Sequence, residues 1–462
     1  MKPIGGLSAA RIYLALLQRP LSTFSEIAEG SGSIRVVAVP FRPQARRVVF
    51  AFAREANRAV LSDPETFRTT GQGLSGPRGS ALRRVRNGLT RTRGDKHRQL
   101  RALQIPKLQR RAVEAMAPRI GAILDEQLAG WRVGETIDLA RAARALSLRI
   151  SSEVLFGIAD RAQAARLGAL LGDFMRRSYR LDVLATRWLG AVPGTPYAAL
   201  ERHAQRLEAE TRQWIAGHRG ATGSDLLSAL LEAREQGIAG LTDDDLVGQL
   251  TLLFGASYET TAQALLFTLA LLAQSPGEAI SLREALGRGP RERPEPLSNV
   301  VRESLRLLPP VPYTIRIATR DTTLLQTPIR RSDRILISHF HAHRIPECFP
   351  EPDRFLPDRW REARPGPYDY FPFSAAPRLC IGAGFATEVL EQAVGEIVRR
   401  FDFRLPEGLA IDPAVRVTLG TRAAVPFELA RPTGGFRPAR LRGELGRLIE
   451  RAGAPAVDRS SR

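Results

Sequence analysis

From about residue 51 to residue 400, apolar side chains recur at three- and four-residue steps, the spacing that lines one face of an α-helix. Segments 112–128 and 200–215 keep this period over several turns. The strongest helical stretch follows Thr242, whose hydroxyl can cap a helix, while Asp243, Asp244 and Asp245 suit the positive end of its dipole. From Leu246 to Ala273 the pattern is almost wholly apolar, a length of roughly 42 Å at 1.5 Å per residue, enough to cross a domain. Gln249, Glu259 and Gln263 argue against a membrane span, because polar and ionisable groups are costly inside a bilayer. Short alternating or β-branched runs at 33–39, 313–319, 334–338 and 415–429 predict a minor β-sheet region beside a mainly α body. Gly/Pro/Arg-rich stretches at 72–94 and 287–296 read as exposed connections. The chain is therefore expected to form one large domain over 1–430. Residues 431–462 make a basic, solvated C-terminal extension with one helical pattern at 441–451.

Composition changes this picture little. With 462 residues, 44% of them hydrophobic, the chain can bury a large core. Its 68 basic residues exceed the 48 acidic ones, for a formal charge of +20, and Lys occurs only at Lys2, Lys96 and Lys107. Such a surface attracts anionic partners in general. The arginines are scattered, and no helix-turn-helix, zinc or aromatic-platform signature points to nucleic acid. Cys348 and Cys380 are the only cysteines, so no disulfide framework is expected and a reducing, cytoplasmic setting fits. Near the N-terminus the apolar run is only 12–17, between Arg11 and Arg19, so neither a signal peptide nor a membrane anchor is expected.

The candidate chemistry centres on Cys380. Small and Pro residues precede it in the run Phe371 to Gly384, and an amphipathic helical pattern runs from Ile381 to about Arg400. A thiol at that junction lies at the positive end of a helix, two residues from Arg378, and its thiolate should be stabilised. Such a sulfur can be a nucleophile or a metal ligand. A nucleophile needs a base, and His97, His203, His218, His339, His341 and His343 fall in no recognisable signature. The alternating His339, His341 and His343 could share a strand face, but the further ligands that zinc needs are missing and chance is the better account. One cysteine thiolate alone suffices to ligate haem iron.

At Phe373, Arg378, Cys380 and Gly382 the sequence resembles the haem-binding loop of the cytochrome P450 superfamily. Other stretches match in the same order. Glu303-Ser304-Leu305-Arg306 resembles the family's Glu-x-x-Arg helix; its bland alternative is a surface i, i+3 pair, whereas the resemblance implies a buried network completed by Arg359. The run Gly94 to Arg101 resembles the helix that meets the haem propionates, with His97 and Arg101 on one face, and Arg316 and Arg378 match further propionate partners. Ala256-Ser257-Tyr258-Glu259-Thr260-Thr261 resembles the oxygen-activation segment, which gives Glu259 and Thr260 the roles of acid and hydroxyl in a proton relay. The sequence departs from the family at Ser257 and Ala376, each in place of a usual Gly. It departs again at His343-Arg344-Ile345-Pro346 and at the turn Arg330-Arg331-Ser332-Asp333.

The resemblance implies a cytochrome P450 fold and haem b (iron protoporphyrin IX) ligated by Cys380. It further implies monooxygenation by O2, and the apolar long helix suggests a hydrophobic or amphipathic small molecule as the substrate. No flavin or iron–sulfur motif is present, so the electrons are expected from a ferredoxin or flavodoxin with its reductase. The substrate-contacting regions map to 68–93 and 168–196. Two other readings remain: within haem chemistry a peroxide-driven enzyme, and, from another class, a haem-binding protein without turnover.

Overall fold

The computed structural model describes residues 4, 6–29, 32–38, 47–69, 74–218, 225–287, 293–415, 417–434 and 437–454. Parts of the segments considered above, at 39, 72–73, 288–292, 435–436 and 455–462, lie outside the described residues, as does Lys2. The chain is mostly helical. The helices that position the site are α1 (Gly94–Gln104), α2 (Leu139–Ile150), α3 (Arg161–Ser178), α4 (Asp243–Gln274), α5 (Glu295–Leu307), α6 (Ala383–Arg400) and α7 (Gly443–Gly453).

The long helix α4 starts where the sequence indicates. Thr242 Oγ1 accepts the Asp245 backbone N–H at 3.1 Å, and the Asp245 carboxylate accepts that of Thr242 at 3.2 Å, closing a capping box. The helix spans 32 residues, about 48 Å at 1.5 Å per residue. It is apolar nearly all round because α2, α5, α6 and α7 pack against it. Leu246, Leu250, Leu269, Leu271 and Leu272 are fully buried, each worth about 1.5–3 kcal/mol over an exposed side chain. No single helix among the described residues is long and apolar enough to cross a membrane; α4 passes that test only when joined to the helix Pro276–Leu286, across a 108° bend.

The main sheet has five strands: β1 (Ile34–Ala38), β2 (Arg47–Ala51), β3 (Phe67–Thr69), β4 (Tyr313–Ala318) and β5 (Arg334–Ser338), in the order β1-β2-β5-β4-β3. Only the β2–β5 pairing is parallel. The hydrophobic period misses β2, whose Val48-Val49-Phe50 run adjoins a helical pattern; burial on both faces erases the alternation that marks a half-exposed strand. The turn before β5 has no glycine, and Ser332 takes its left-handed backbone with φ 74°. Asp333 holds that turn by accepting from Arg47 on β2 and from the Arg330 N–H at 2.8 Å.

Two expectations need correction. The stretch 72–94 is more than an exposed connection: Leu82 and Val85 are buried, and the loop at Gly88 lies directly on α4. A Cβ on Gly88 would stand 2.5 Å from that of Leu252, and one on Gly248 would stand 2.6 Å from the Asn87 carbonyl carbon, so glycine at both positions permits the contact. The C-terminal segment is also packed through residue 454. Leu441, Leu445, Ile449 and Ala452 are buried, the Phe355 N–H donates to the Ala452 carbonyl at 3.1 Å, and Ser22 N–H to Glu444 at 2.6 Å. Its apolar i, i+4 spacing makes one helix face, and the surface around the C-terminal end of α4 receives it.

Candidate active site

Cys380 sits in the loop that feeds α6. The loop is closed by its own backbone: Cys380 N–H donates to the Phe373 carbonyl at 2.9 Å and Arg378 N–H to the Ala375 carbonyl at 3.0 Å. Phe371 N–H donates to His343 Nε2 at 3.0 Å, which ties the start of the loop to the short helix His339–Ala342. The left-handed residue here is Ser374, with φ 63°; Ala376 has no positive φ, so the missing glycine is not needed at that position. Gly382 caps α6, and Phe373 packs partly buried against the main core.

Cys380 is exposed and lines a cavity of about 1570 Å³. Burial pushes its thiol above the ordinary value; the Gly382 N–H and the Arg101 charge pull the other way without prevailing. The helix end and Arg378 were expected to stabilise the thiolate in the protein alone, and here desolvation outweighs them. The same cavity is lined by His97, Arg101, Arg316, Arg378, Glu259 and Thr260. Phe373 and Gly382 lie behind Cys380 and do not line it.

Four cationic or titratable groups converge on the Cys380 side of the cavity. His97 and Arg101 share a face of α1; Arg316 is mid-strand on β4, opposite Thr69 and Ile335; Arg378 donates to the Thr92 carbonyl at 3.1 Å. Burial, then Arg378 and Arg101, press His97 down to about 4, so it is neutral near pH 7 and its N–H is a neutral donor. Burial and then Arg378 lower Arg316 to about 10, and burial followed by Arg101 and Arg93 lowers Arg378. Buried cations crowded in this way favour an anionic ligand, which relieves both desolvation and repulsion.

The α4 segment over the cavity divides its polar groups. Thr260 Oγ1 donates to the Ala256 carbonyl at 2.8 Å and lines the cavity. Ser257 does not line it; its hydroxyl donates to the Phe254 carbonyl at 2.9 Å, within its own helix. Glu259 accepts from Arg144 Nε and Nη2, both at 3.1 Å, and from Gln263 Nε2 at 3.1 Å. Burial works against the Arg144 charge, yet the Glu259 hydrogen bonds and charge hold its pKa above the ordinary value. Arg144 on α2 was not singled out from the sequence: it reads as one more basic residue in an amphipathic helix, 115 positions from its partner.

The Glu303 network expected from the resemblance is present. Arg306 Nε and Nη2 and Arg359 Nε each donate to the Glu303 carboxylate at 2.9 Å, joined by Trp360 Nε1 at 3.0 Å and the Leu356 N–H at 2.9 Å. Arg306 also donates to the carbonyls of His343, Pro352 and Arg354. The histidines that could have shared a strand face instead start a helical turn, and no group of metal-ligating residues occurs among the described residues.

A lone cysteine before a helix, facing a cavity of buried cations under a long apolar helix, is the arrangement of a haem-thiolate protein. Comparison gives the family: the cytochrome P450 profile matches residues 41–422, and the chain belongs to that family. Cyclooctatin synthase of Streptomyces melanosporofaciens is 28% identical over 90% of this chain and 92% of its own length. Cyclooctat-9-en-7-ol 5-monooxygenase of the same organism is 27% identical over 86% and 88%. Among solved structures, retinoic acid-bound cyanobacterial CYP120A1 superposes with a TM-score of 0.76 at 21% identity, covering 88% of this chain and 93% of that one. A mutant of P450 EryK in complex with erythromycin B gives 0.71 at 23%, covering 90% and 97%. The protein is a cytochrome P450 monooxygenase with a haem-thiolate cofactor.

Proposed function

We propose that the Cys380 sulfur would hold the iron of haem b, and that His97, Arg101, Arg316 and Arg378 would hold its two carboxylates. The donor set fits: one soft sulfur, four groups suited to carboxylates and no carboxylate of the protein bonded to them among the described residues. Gly382 contributes its N–H to the sulfur, and Phe373 packs the loop from behind. Haem bound there supplies dioxygen chemistry, in which one oxygen atom enters the substrate and the other leaves as water, with two electrons and two protons consumed.

The protein's own part is positioning and proton supply. Thr260 gives one hydrogen bond to its helix and keeps its lone pairs toward the cavity, where they can accept from water. Glu259, gripped by Arg144 at the edge of the cavity, exchanges protons with solvent and passes them inward. Ser257 has no part in this relay, because its hydroxyl faces its own backbone.

Apolar wall residues such as Leu89, Leu252 and Ile315 suit a hydrophobic or amphipathic small molecule, and the relative named cyclooctat-9-en-7-ol 5-monooxygenase supports that class. Electrons come from a ferredoxin or flavodoxin with its reductase, attracted by the net charge of +20. The observation that carries the reading is the convergence of Cys380 and the four carboxylate-binding groups on one cavity. Cys380→Ser should lose the red-shifted ferrous–carbon monoxide band that reports an anionic sulfur ligand, and Cys348→Ser should keep it. Retention of the band in Cys380→Ser would remove the assignment.

A further inference from the structure

Of the ten large apolar side chains exposed among the described residues, five stand between 181 and 192: Leu181, Leu184, Trp188, Leu189 and Val192. Leu181 is 65% exposed and Trp188 79%. Leu181, Leu184 and Trp188 keep the three- and four-residue steps of one helical face across the turns Leu181–Thr186 and Arg187–Leu189, and that face meets solvent while Val183 is buried beneath it. Hydrogen bonds fix the segment in this sense. Thr186 Oγ1 donates to the Asp182 carbonyl at 2.7 Å, and the Ala198 N–H donates to Thr195 Oγ1 at 3.1 Å where the helix Pro196–His218 begins. An apolar cluster held outward in this way marks a contact surface, whereas single exposed apolar side chains need no explanation.

The rim of the cluster is cationic. Arg176, Arg177, Arg180, Arg187 and Arg202 are exposed around it, and Arg176 pairs with Asp173 and Arg180 with Asp182. The remaining acid of the segment, Glu201, is buried and accepts the Ala81 N–H at 2.8 Å, so the excess charge at the surface is positive. Arg177, Arg180 and Arg202, with Thr195, also line a surface hollow of about 230 Å³. A tryptophan amid aliphatic side chains, bordered by arginines, matches the layering of a membrane surface, where rings lie at headgroup depth and guanidinium groups meet phosphates. A second copy of the chain would bring one cationic rim against another, which opposes self-association through this face. The cluster also borders the large cavity, whose wall includes Leu184, Arg187 and Trp188.

We infer that this face docks on an anionic lipid bilayer, with Leu181, Leu184 and Trp188 entering the boundary between headgroups and acyl chains and Arg177, Arg187 and Arg202 meeting lipid phosphates. Such docking is peripheral and needs no spanning helix. It turns the mouth of the cavity toward the lipid, so an apolar substrate dissolved there enters without crossing bulk water. That consequence rests on the monooxygenase reading of the cavity; the docking does not.

The test mixes holoenzyme with vesicles of phosphatidylcholine alone, or of phosphatidylcholine and phosphatidylglycerol in equal amounts, and measures co-flotation. The mixed vesicles should bind about tenfold or more tighter than the neutral ones, and the difference should shrink as salt rises. Tryptophan emission should move to shorter wavelength on the mixed vesicles, and Trp188→Phe should remove that shift. Leu181→Asn combined with Trp188→Asn should weaken binding to the mixed vesicles about tenfold or more. Arg177→Gln combined with Arg202→Gln should cut the preference for them about threefold or more. If the first pair fails to fold, the arginine pair decides. Wild-type protein that ignores the mixed vesicles, or paired variants that bind them like wild type, overturns the inference. So does a dimer in analytical ultracentrifugation that Trp188→Asn dissolves, which would give the face to a second copy. The carbon monoxide band of the same preparation separates the two readings. Its absence sinks the haem-thiolate assignment and leaves the vesicle result standing, whereas its presence without vesicle binding sinks only the docking.

Discussion

Two glutamate–arginine pairs in this protein have nearly the same geometry and opposite surroundings. Arg306 Nε meets Glu303 at 2.9 Å and Arg144 Nε meets Glu259 at 3.1 Å. The side chains of Glu303 and Arg306 are 0% exposed, whereas those of Glu259 and Arg144 keep 28% and 45% exposure. Glu303 is saturated by five donors from Arg306, Arg359, Trp360 and the Leu356 backbone. Among the described residues Glu259 accepts from Arg144 and Gln263. A charge removed from the first pair strands its partners in a dry interior. Opening the second costs little, because water replaces the lost bonds. Burial therefore makes one pair a fixed brace for the segment before the Cys380 loop and leaves the other within reach of water, as the proposed relay through Glu259 requires.

The comparison breaks most visibly at Glu303. Glu303→Gln should lower stability by about 3–5 kcal/mol, since Arg306 and Arg359 would remain buried without their shared anion. Chemical denaturation measures it, and a loss below about 1 kcal/mol would show that the network does not brace the fold. Arg144→Gln should change stability by no more than about 1 kcal/mol yet alter turnover, shifting the pH dependence of product formation as Glu259 loses its partner. Thr260→Ala should likewise keep its fold but divert reducing equivalents to hydrogen peroxide. Product formed per electron consumed is the measurement, and unchanged coupling would exclude Thr260 from the relay.

A further test concerns acid. Burial, then Arg316, lowers His339 from 6.5 to about 3, so as pH falls below about 6.5 the unfolded chain takes up a proton that the folded protein refuses. Stability should be fullest above that pH and decline toward pH 3. His339→Phe should flatten part of the decline in thermal melts taken across the window, and an unchanged slope would locate the acid sensitivity elsewhere.

Much of the cavity's Cys380 side was legible because short spacings encode it. His97 and Arg101 lie four apart on one helix, Glu303 and Arg306 three apart, and the Cys380 loop closes through contacts within seven residues. The thiol's charge was not legible in the same way: its neighbours were, but burial, which dominates its pKa, is a property of the folded whole. Ser257 shows a related limit. It stands in one segment with Glu259 and Thr260 in place of a usual Gly, and only the rotation of α4 decides that its hydroxyl meets its own helix backbone and not the cavity.

The sequence by itself determined the long capped helix, the cysteine loop, the Glu-x-x-Arg helix and hence the family, because caps, turns and helical spacing act over a few residues. Tertiary structure alone decided which of the many arginines are paired or buried and which stay at the surface. Arg144 reaches Glu259 across 115 positions, Arg47 reaches Asp333 across 286, and Arg86 and Arg91 become part of a buried wall because Gly88 lets their segment lie on α4. The same holds for α7, whose apolar face was visible in the chain but whose place against α4 was not. An arginine's charge is local, whereas its desolvation and its partner depend on contacts between distant segments, which no local pattern encodes.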